Sequence, residues 1–222
     1  MKKYIVIVAG GKGLRMGNDI PKQFLELNGI PILMHTIKQF FTYDNSISII
    51  LVLPSIQIEL WKSLCYKFSF DINHQIISGG DERFYSVKNG LSAINDDNSI
   101  VAIHDGVRPL VSIETIDRCF SSSIILGNAI PAIPIVDSLR LIDANCNEVL
   151  DRNKVRLIQT PQTFRTRLIK EAYNQNWHSG YTDDATVFES LGNKINLVEG
   201  NIENIKVTSP FDLKVAELFL LK

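Results

Sequence analysis

The chain has 222 residues, a length that suits one α/β domain, and its 45% hydrophobic and 21% charged residues are ordinary for a globular protein. Its formal net charge is −1 and its pI is about 6.4, so it lacks the overall positive field that would attract nucleic acids or anionic membranes. No apolar stretch approaches the roughly 20 residues needed to cross a bilayer. We therefore expect neither a nucleic-acid nor a membrane partner, and any site for an anion must be local.

The three cysteines, Cys65, Cys119 and Cys146, lie far apart in the sequence and form neither a CxxC pair nor a metal-ligand spacing with histidine. Free thiols fit a reducing compartment. The start "MKKYIVIVAGG" runs directly into glycines without a plausible cleavage site, which favours a strand over a signal peptide. These features predict a cytoplasmic protein.

Short β-branched runs that predict buried strands alternate with amphipathic patterns that predict helices. The predicted strands are 4–8, 46–54, 73–77, 99–109 and 128–138. The predicted helices are one begun by Pro31, one over 56–67, one that carries Phe84, Val87, Leu91 and Ile94, and one capped by Ser112. This alternation predicts an α/β fold with a doubly wound, mostly parallel sheet of the Rossmann type. Ligands of such sheets bind outside the carboxyl ends of the strands.

Residues 138–158 break this rhythm, because two short apolar runs flank the turn-like stretch "DANCNE". The pattern predicts a protruding β-hairpin that is too small to hold a core of its own. Such an arm needs another surface, so we expect it to pack on a partner subunit. Helices around 167–176 and 183–191 follow, and Ser209 with Pro210 predicts the start of a C-terminal helix. The prediction is thus a single domain, 1–222, with 138–158 as a dimerisation arm.

The stretch "AGGKGLRMGNDIPKQF" combines glycines with cations. The glycines are Gly10, Gly11 and Gly13, and the cations are Lys12, Arg15 and Lys22. The dinucleotide fingerprint GxGxxG fails at Met16, and the P-loop GxxxxGK[ST] cannot be placed. A cradle for a triphosphate fits better, because glycines bring backbone N–H groups close to a ligand and the cations offset its charge. A plain glycine turn with solvated basic residues is the alternative.

These motifs resemble a known family. "AGGKGLRMG" with "PKQF" is similar to the signature of sugar-phosphate nucleotidyltransferases, and more closely to that of the 2-C-methyl-D-erythritol 4-phosphate cytidylyltransferases. The resemblance continues from Ala9 to Thr208 through "GGDERFYSV", "HDGVRP", "VDS", "DR", "QTPQTF", "TDDA" and "ENIKVT". It implies transfer of CMP from CTP to methylerythritol phosphate, with release of pyrophosphate, in the non-mevalonate isoprenoid pathway. The related ribitol-5-phosphate cytidylyltransferases are the alternative, whereas "GGDER" and "DR" favour methylerythritol phosphate.

The resemblance also implies roles for individual residues. Those implied to bind the nucleotide are Ala9, Gly10, Gly11, Gly13, Gly79, Gly80, Asp81, Ser86 and Gly106. Those implied to bind the polyol phosphate are Asp105, Arg108, Ser138, Arg152, Thr160 and Thr182, of which Arg108, Ser138 and Arg152 would serve the neighbouring subunit. The implied catalytic residues are Arg15, Lys22 and Lys206. Asp105 would hold Mg²⁺ together with the phosphates of CTP, and the family forms homodimers whose hairpin arms embrace.

The implied reaction needs no general base, because a phosphate monoester with a second pKa of about 6 is already mostly dianionic at pH 7. Its difficulty is to bring two anions together, and fixed cations with Mg²⁺ can offset that repulsion. His104 more simply orients its turn, and Asp183 with Asp184 can simply begin a helix. A non-catalytic nucleotide-binding subunit is a second class of function, and a nicotinamide-dependent oxidoreductase fails on the fingerprint.

Overall fold

The computed structural model describes residues 1–10, 20–144 and 146–221. The strands are β1 (Lys3–Val8), β2 (Glu26–Leu27), β3 (Ile30–Pro31), β4 (Ser48–Leu53), β5 (Gln75–Ser78), β6 (Ile100–Asp105), β7 (Asn128–Pro134), β8 (Leu139–Asp143), β9 (Cys146–Leu150), β10 (Arg156–Ile158), β11 (Gln162–Arg165) and β12 (Leu197–Glu199). The helices are α1 (Ile32–Tyr43), α2 (Ile58–Lys67), α3 (Arg83–Ser92), α4 (Ile113–Leu126), α5 (Thr166–Ala172), α6 (Asp184–Glu189) and α7 (Pro210–Leu220).

Eight strands form the central sheet in the order β10-β7-β11-β6-β1-β4-β5, with β12 also paired to β7. The β1–β4, β1–β6, β4–β5 and β7–β12 pairs are parallel, whereas β11 runs antiparallel to both β6 and β7. The sheet is therefore mixed but mostly parallel, and the predicted doubly wound α/β fold is confirmed.

Both faces of the sheet are covered, as the continuous apolar strands require. Alternate residues of β1 point to opposite sides: Val6 and Val8 join the cluster that contains α3, and Ile5 and Ile7 join the cluster that contains α1 and α4. A third, smaller cluster joins α7 to the loop that follows β6. The carboxyl ends of β1, β4 and β6 consequently lie side by side at one edge, where their loops can form a shared site.

The helix starts predicted from capping residues are confirmed. The Ser112 hydroxyl accepts a hydrogen bond from Thr115 N ahead of α4, and Ser209 forms a capping box with Asp212 ahead of α7. Each cap satisfies a backbone N–H that the first helical turn leaves without a partner. None of the helices in the described ranges is long and apolar enough to span a membrane.

Strands β8 and β9 pair antiparallel with each other and form a separate two-stranded sheet. Their bounds are narrower than the predicted 138–158, because β10 leaves the hairpin and pairs with β7 in the central sheet. Three apolar side chains of the hairpin are strongly exposed: Leu141 by 59%, Ile142 by 71% and Val149 by 78%. The role of this hairpin as a dimerisation arm stays a prediction.

Candidate active site

A pocket lies where the sheet prediction places a ligand, beyond the carboxyl ends of β1 and β6. It is lined by Val8, Ala9, Gly10, Lys22, Gln23, Gly80, Asp81, Glu82, Arg83, Ser86, Asp105, Val107 and Lys206. Of the residues that the resemblance singles out, eight therefore meet in one place: Ala9, Gly10, Lys22, Gly80, Asp81, Ser86, Asp105 and Lys206. Gly11, Gly13 and Arg15 lie outside the described residues.

The wall formed by the end of β1 is held from two directions. Ala9 N donates to Val52 O on β4 over 3.0 Å, which extends the sheet by one residue. The Ala9 carbonyl accepts from Nε2 of the fully buried Gln23 over 2.8 Å, and the same Nε2 lies 2.6 Å from Gln57 Oε1. Gln23 thus ties together the two ends of the glycine-rich segment. The motif "PKQF" contains it, but sequence reasoning assigned a role to Lys22 alone.

The opposite wall is the turn that leads from β5 into α3. A Cβ on Gly79 would lie 2.8 Å from Ser86 Oγ, and a Cβ on Gly80 would collide with Tyr85. Only glycine permits so close an approach of this turn to the first turn of the helix. The Ser86 hydroxyl, itself buried, accepts from Gly80 N over 3.1 Å. The turn is thereby fixed, and it presents backbone groups and the exposed Asp81 to the pocket.

Asp105, the last residue of β6, is the buried carboxylate of the pocket and is surrounded by cations. Its Oδ2 lies 3.0 Å from Lys206 Nζ and 3.2 Å from Arg108 Nε, and its Oδ1 lies 3.8 Å from Arg83 Nε. Burial alone would raise the pKa of Asp105, but Arg83, Lys206 and Arg108 outweigh it and hold that pKa well below its usual range. The carboxylate is therefore ionised at neutral pH.

Arg83 is the site residue that sequence reasoning missed. Its guanidinium donates two hydrogen bonds to the fully buried Asp184, over 2.8 Å to Oδ1 and 2.7 Å to Oδ2. The Tyr173 hydroxyl donates to the same Oδ1 over 2.6 Å. The prediction that this acidic pair begins a helix is confirmed, because Asp183 caps α6 and Asp184 is its first residue. Asp184 is in addition the partner of Arg83. The available signal was the arginine in "GGDER".

Arg108 is engaged within its own chain. Besides the contact with Asp105, its Nη1 donates to the Asn204 carbonyl over 2.8 Å. The prediction that Arg108 grips a substrate of the neighbouring subunit has no counterpart in these contacts. Through these two contacts Arg108 joins the turn after β6 to the segment that carries Lys206.

Thr160 is outside the lining of the pocket and lies behind Asp105, and its role in substrate binding stays a prediction. The Thr160 side chain is buried, and its hydroxyl accepts from Asp105 N over 3.1 Å and lies 3.0 Å from His104 Nδ1. His104 Nε2 must donate to the Arg108 carbonyl, 3.0 Å away, so Nδ1 is the acceptor for the Thr160 hydroxyl. Burial lowers the pKa of His104 to about 4, which keeps this ring neutral. The prediction that His104 orients its turn is confirmed.

The other predicted residues lie outside the pocket lining. Gly106 is buried against β1, and a Cβ there would lie 2.8 Å from Ala9 Cβ. Gly79 stands behind Gly80, with its N–H bonded to Leu53 O over 2.8 Å. Ser138, Arg152 and Thr182 are exposed, and Arg152 donates to the Val136 carbonyl beside the hairpin.

The site offers one buried carboxylate to a cation, and oxygen is the donor that Mg²⁺ prefers. Among residues 1–10, 20–144 and 146–221, no group of three or more His, Cys, Asp or Glu side chains is arranged to hold a metal ion.

Comparisons with known proteins agree with this geometry. The family model described as 2-C-methyl-D-erythritol 4-phosphate cytidylyltransferase matches residues 4–222. Proteins of that name from Phocaeicola vulgatus and Bacteroides fragilis are 49% and 50% identical to the chain over 220 residues, which cover 99% of this chain and the full length of each relative. A crystal structure of 4-diphosphocytidyl-2C-methyl-D-erythritol synthase from Anaerococcus prevotii superposes with a TM-score of 0.84 at 29% identity, covering 100% of this chain and 96% of that one.

Proposed function

The chain belongs to the 2-C-methyl-D-erythritol 4-phosphate cytidylyltransferase family, and from that premise we propose that its pocket transfers CMP from CTP to 2-C-methyl-D-erythritol 4-phosphate. A phosphate oxygen of the polyol attacks the α-phosphorus of CTP. The new P–O bond forms as the bond between the α-phosphorus and its bridging oxygen breaks, and pyrophosphate leaves. The relatives named above are all methylerythritol-phosphate enzymes, so the ribitol-5-phosphate alternative is not favoured.

One observation carries this proposal: a single pocket is lined by Gly10 and Gly80 together with Asp105, Lys22 and Lys206. The Gly80 turn offers backbone groups for the base, as the family resemblance implies. Lys22 and Lys206 supply positive charge toward the place where the two phosphates must meet, and Lys206 is exposed enough for a ligand to reach, since 43% of its side chain is accessible. Fixed charges of this kind are stronger in a shielded pocket than in water, which favours the more highly charged transition state.

We propose Mg²⁺ as the cofactor, held by Asp105 together with the phosphate oxygens of CTP. The ion would neutralise phosphate charge when it is bound. The cations around Asp105 disfavour a divalent ion before the nucleotide arrives, so metal and CTP should bind together. We also propose a cytoplasmic location, which the free thiols of Cys65, Cys119 and Cys146 support.

A pyrophosphate-release assay tests the reaction directly. We expect release from CTP, and not from ATP, GTP or UTP, when both methylerythritol phosphate and Mg²⁺ are present. Ribitol 5-phosphate serves as the matched acceptor, because it carries the same nucleophile on a different polyol. Release with ribitol 5-phosphate alone would replace the proposed acceptor, and CTP binding without turnover would indicate a non-catalytic subunit.

We further propose a homodimer in which Arg152 serves the pocket of the partner subunit. Two observations support it: the apolar side chains of the β8–β9 hairpin are uncovered, and Arg152 lies beside the hairpin and away from the pocket of its own chain. Arg152→Met should abolish most turnover while CTP affinity, measured by calorimetry, stays within about twofold, because the residue would touch the other substrate.

Mixing two inactive variants tests whether Arg152 acts across the dimer. If it does, heterodimers of Arg152→Met and Lys206→Met contain one pocket with both defects and one pocket with neither. Subunit exchange should then restore about a quarter of the wild-type activity, since half of the dimers are mixed and each has one intact site. A mixture in which the subunits have exchanged but which stays as inactive as its components would show that Arg152 acts in the pocket of its own chain.

A further inference from the structure

We propose that Arg83 is a positioning residue that holds Oδ1 of the Asp105 carboxylate on its own side, so that only Oδ2 pairs with Lys206. This inference rests on the proposed function and deepens it. It begins from the different contacts of the two carboxylate oxygens. Oδ2 contacts Arg108 and Lys206, at 3.2 and 3.0 Å, whereas Oδ1 faces only Arg83 among the ion pairs of the described residues, at 3.8 Å.

Arg83 can exert that pull because its own position is fixed. Asp184 is fully buried and binds the guanidinium through both of its oxygens, a bidentate geometry that restricts the rotation of the arginine. The Tyr173 hydroxyl, also buried, fixes Asp184 in turn. A rigid chain therefore runs from Tyr173 through Asp184 and Arg83 to the edge of Asp105.

Lys206 is the group that benefits from this arrangement. It must turn from Asp105 to the reacting phosphates when the substrates bind, and a carboxylate pulled only from the side of Lys206 would hold the ammonium group more tightly. The cation on Oδ1 balances that pull. Without Arg83, the carboxylate should rotate so that Oδ1 also turns toward Arg108 and Lys206, and the lysine would be less available to the transition state.

Arg83→Met removes the charge while keeping the length of the side chain. We expect kcat to fall about 10-fold, the size of effect seen when a partner that orients a site residue is lost. The KM for CTP should stay within about threefold, because Arg83 is held by Asp184 and acts through Asp105. A KM that rises more than kcat falls would instead make Arg83 a nucleotide-binding residue and overturn the proposal.

A second variant separates positioning from stability. Arg83→Met leaves the buried Asp184 carboxylate unpaired, so this variant should melt at a lower temperature. Adding Asp184→Asn removes that charge but keeps an acceptor for the Tyr173 hydroxyl, and it should recover much of the lost melting temperature. Turnover should not recover. If kcat returns together with stability, or if Arg83→Met turns over like wild type, Arg83 is structural and the proposal is wrong.

Lys170→Met is the control, because Lys170 pairs with Asp97 at 2.8 Å outside the active-site pocket. It should change stability without changing kcat. Crystal structures of the wild type and the double variant add a readout that needs no turnover. A rotation of the Asp105 carboxylate that brings Oδ1 toward Lys206 or Arg108 supports the proposal, and an unmoved carboxylate refutes it. If wild type releases no pyrophosphate from CTP and methylerythritol phosphate, the proposed function fails, and the crystal structures alone decide the role of Arg83.

Discussion

Replacing Thr160 by valine should destabilise the fold, because this hydroxyl holds two buried groups behind the active site. It accepts from Asp105 N over 3.1 Å and donates to His104 Nδ1 over 3.0 Å. Valine has nearly the same shape and cannot make either bond, while Asp105 and His104 stay buried.

The expected cost follows from the two unpaired groups. A buried donor or acceptor that loses its partner costs about 1–3 kcal/mol, so the two together should lower the free energy of unfolding by about 3 kcal/mol. For a chain of this size, that corresponds to a fall in melting temperature of about 6–12 °C. A loss of about 3 kcal/mol in the free energy of unfolding is large compared with the error of a urea titration.

Urea unfolding followed by circular dichroism measures the effect, with Thr160→Ser as the matched control. Serine keeps the hydroxyl and loses one methyl group, so it should cost only about 1 kcal/mol. If the valine variant is as stable as the serine variant, the hydroxyl does not carry the two bonds, and the assignment of Thr160 as a support for Asp105 is wrong.

Two further predictions concern neighbouring residues. Burial lowers the pKa of His104 from 6.5 to about 4, so between these values the unfolded chain takes up a proton that the folded protein refuses. The free energy of unfolding should therefore fall as the pH drops from 6.5 to 4, by about 3 kcal/mol from this group, and His104→Gln should flatten the slope in urea titrations at pH 7 and 4.5. A slope unchanged by the substitution would contradict a buried neutral ring. Gly106→Ala should destabilise by about 1–3 kcal/mol in thermal melts, because its Cβ would lie 2.8 Å from Ala9 Cβ. Gly10→Ala, whose Cβ meets no atom of the described residues within 4 Å, should stay within about 0.5 kcal/mol, and equal losses in the two variants would refute the steric argument.

The sequence by itself determined the framework of this protein. Residues 5–8 of β1 are all β-branched. Such a run is a local pattern, and it indicates a strand that is covered on both faces. Ser112 and Ser209 mark helix starts for the same reason, because a cap acts on N–H groups only a few residues away. Ligands of parallel sheets bind beyond the carboxyl ends of the strands, and this rule predicted where the pocket lies. The family motifs contain most of the residues that line it.

Only the tertiary structure decided which charges meet. Arg83 and Asp184 are 101 positions apart, and no periodicity or spacing selects that carboxylate as the partner. The position of Thr160 behind Asp105 is likewise set by the tertiary structure, which joins two residues 55 positions apart by a hydrogen bond. The end of the hairpin was decided in the same way, because residues 156–158 pair antiparallel with β7 in the central sheet. Such pairings form between segments that are far apart in the sequence and close in the folded chain. A local sequence pattern therefore cannot predict them.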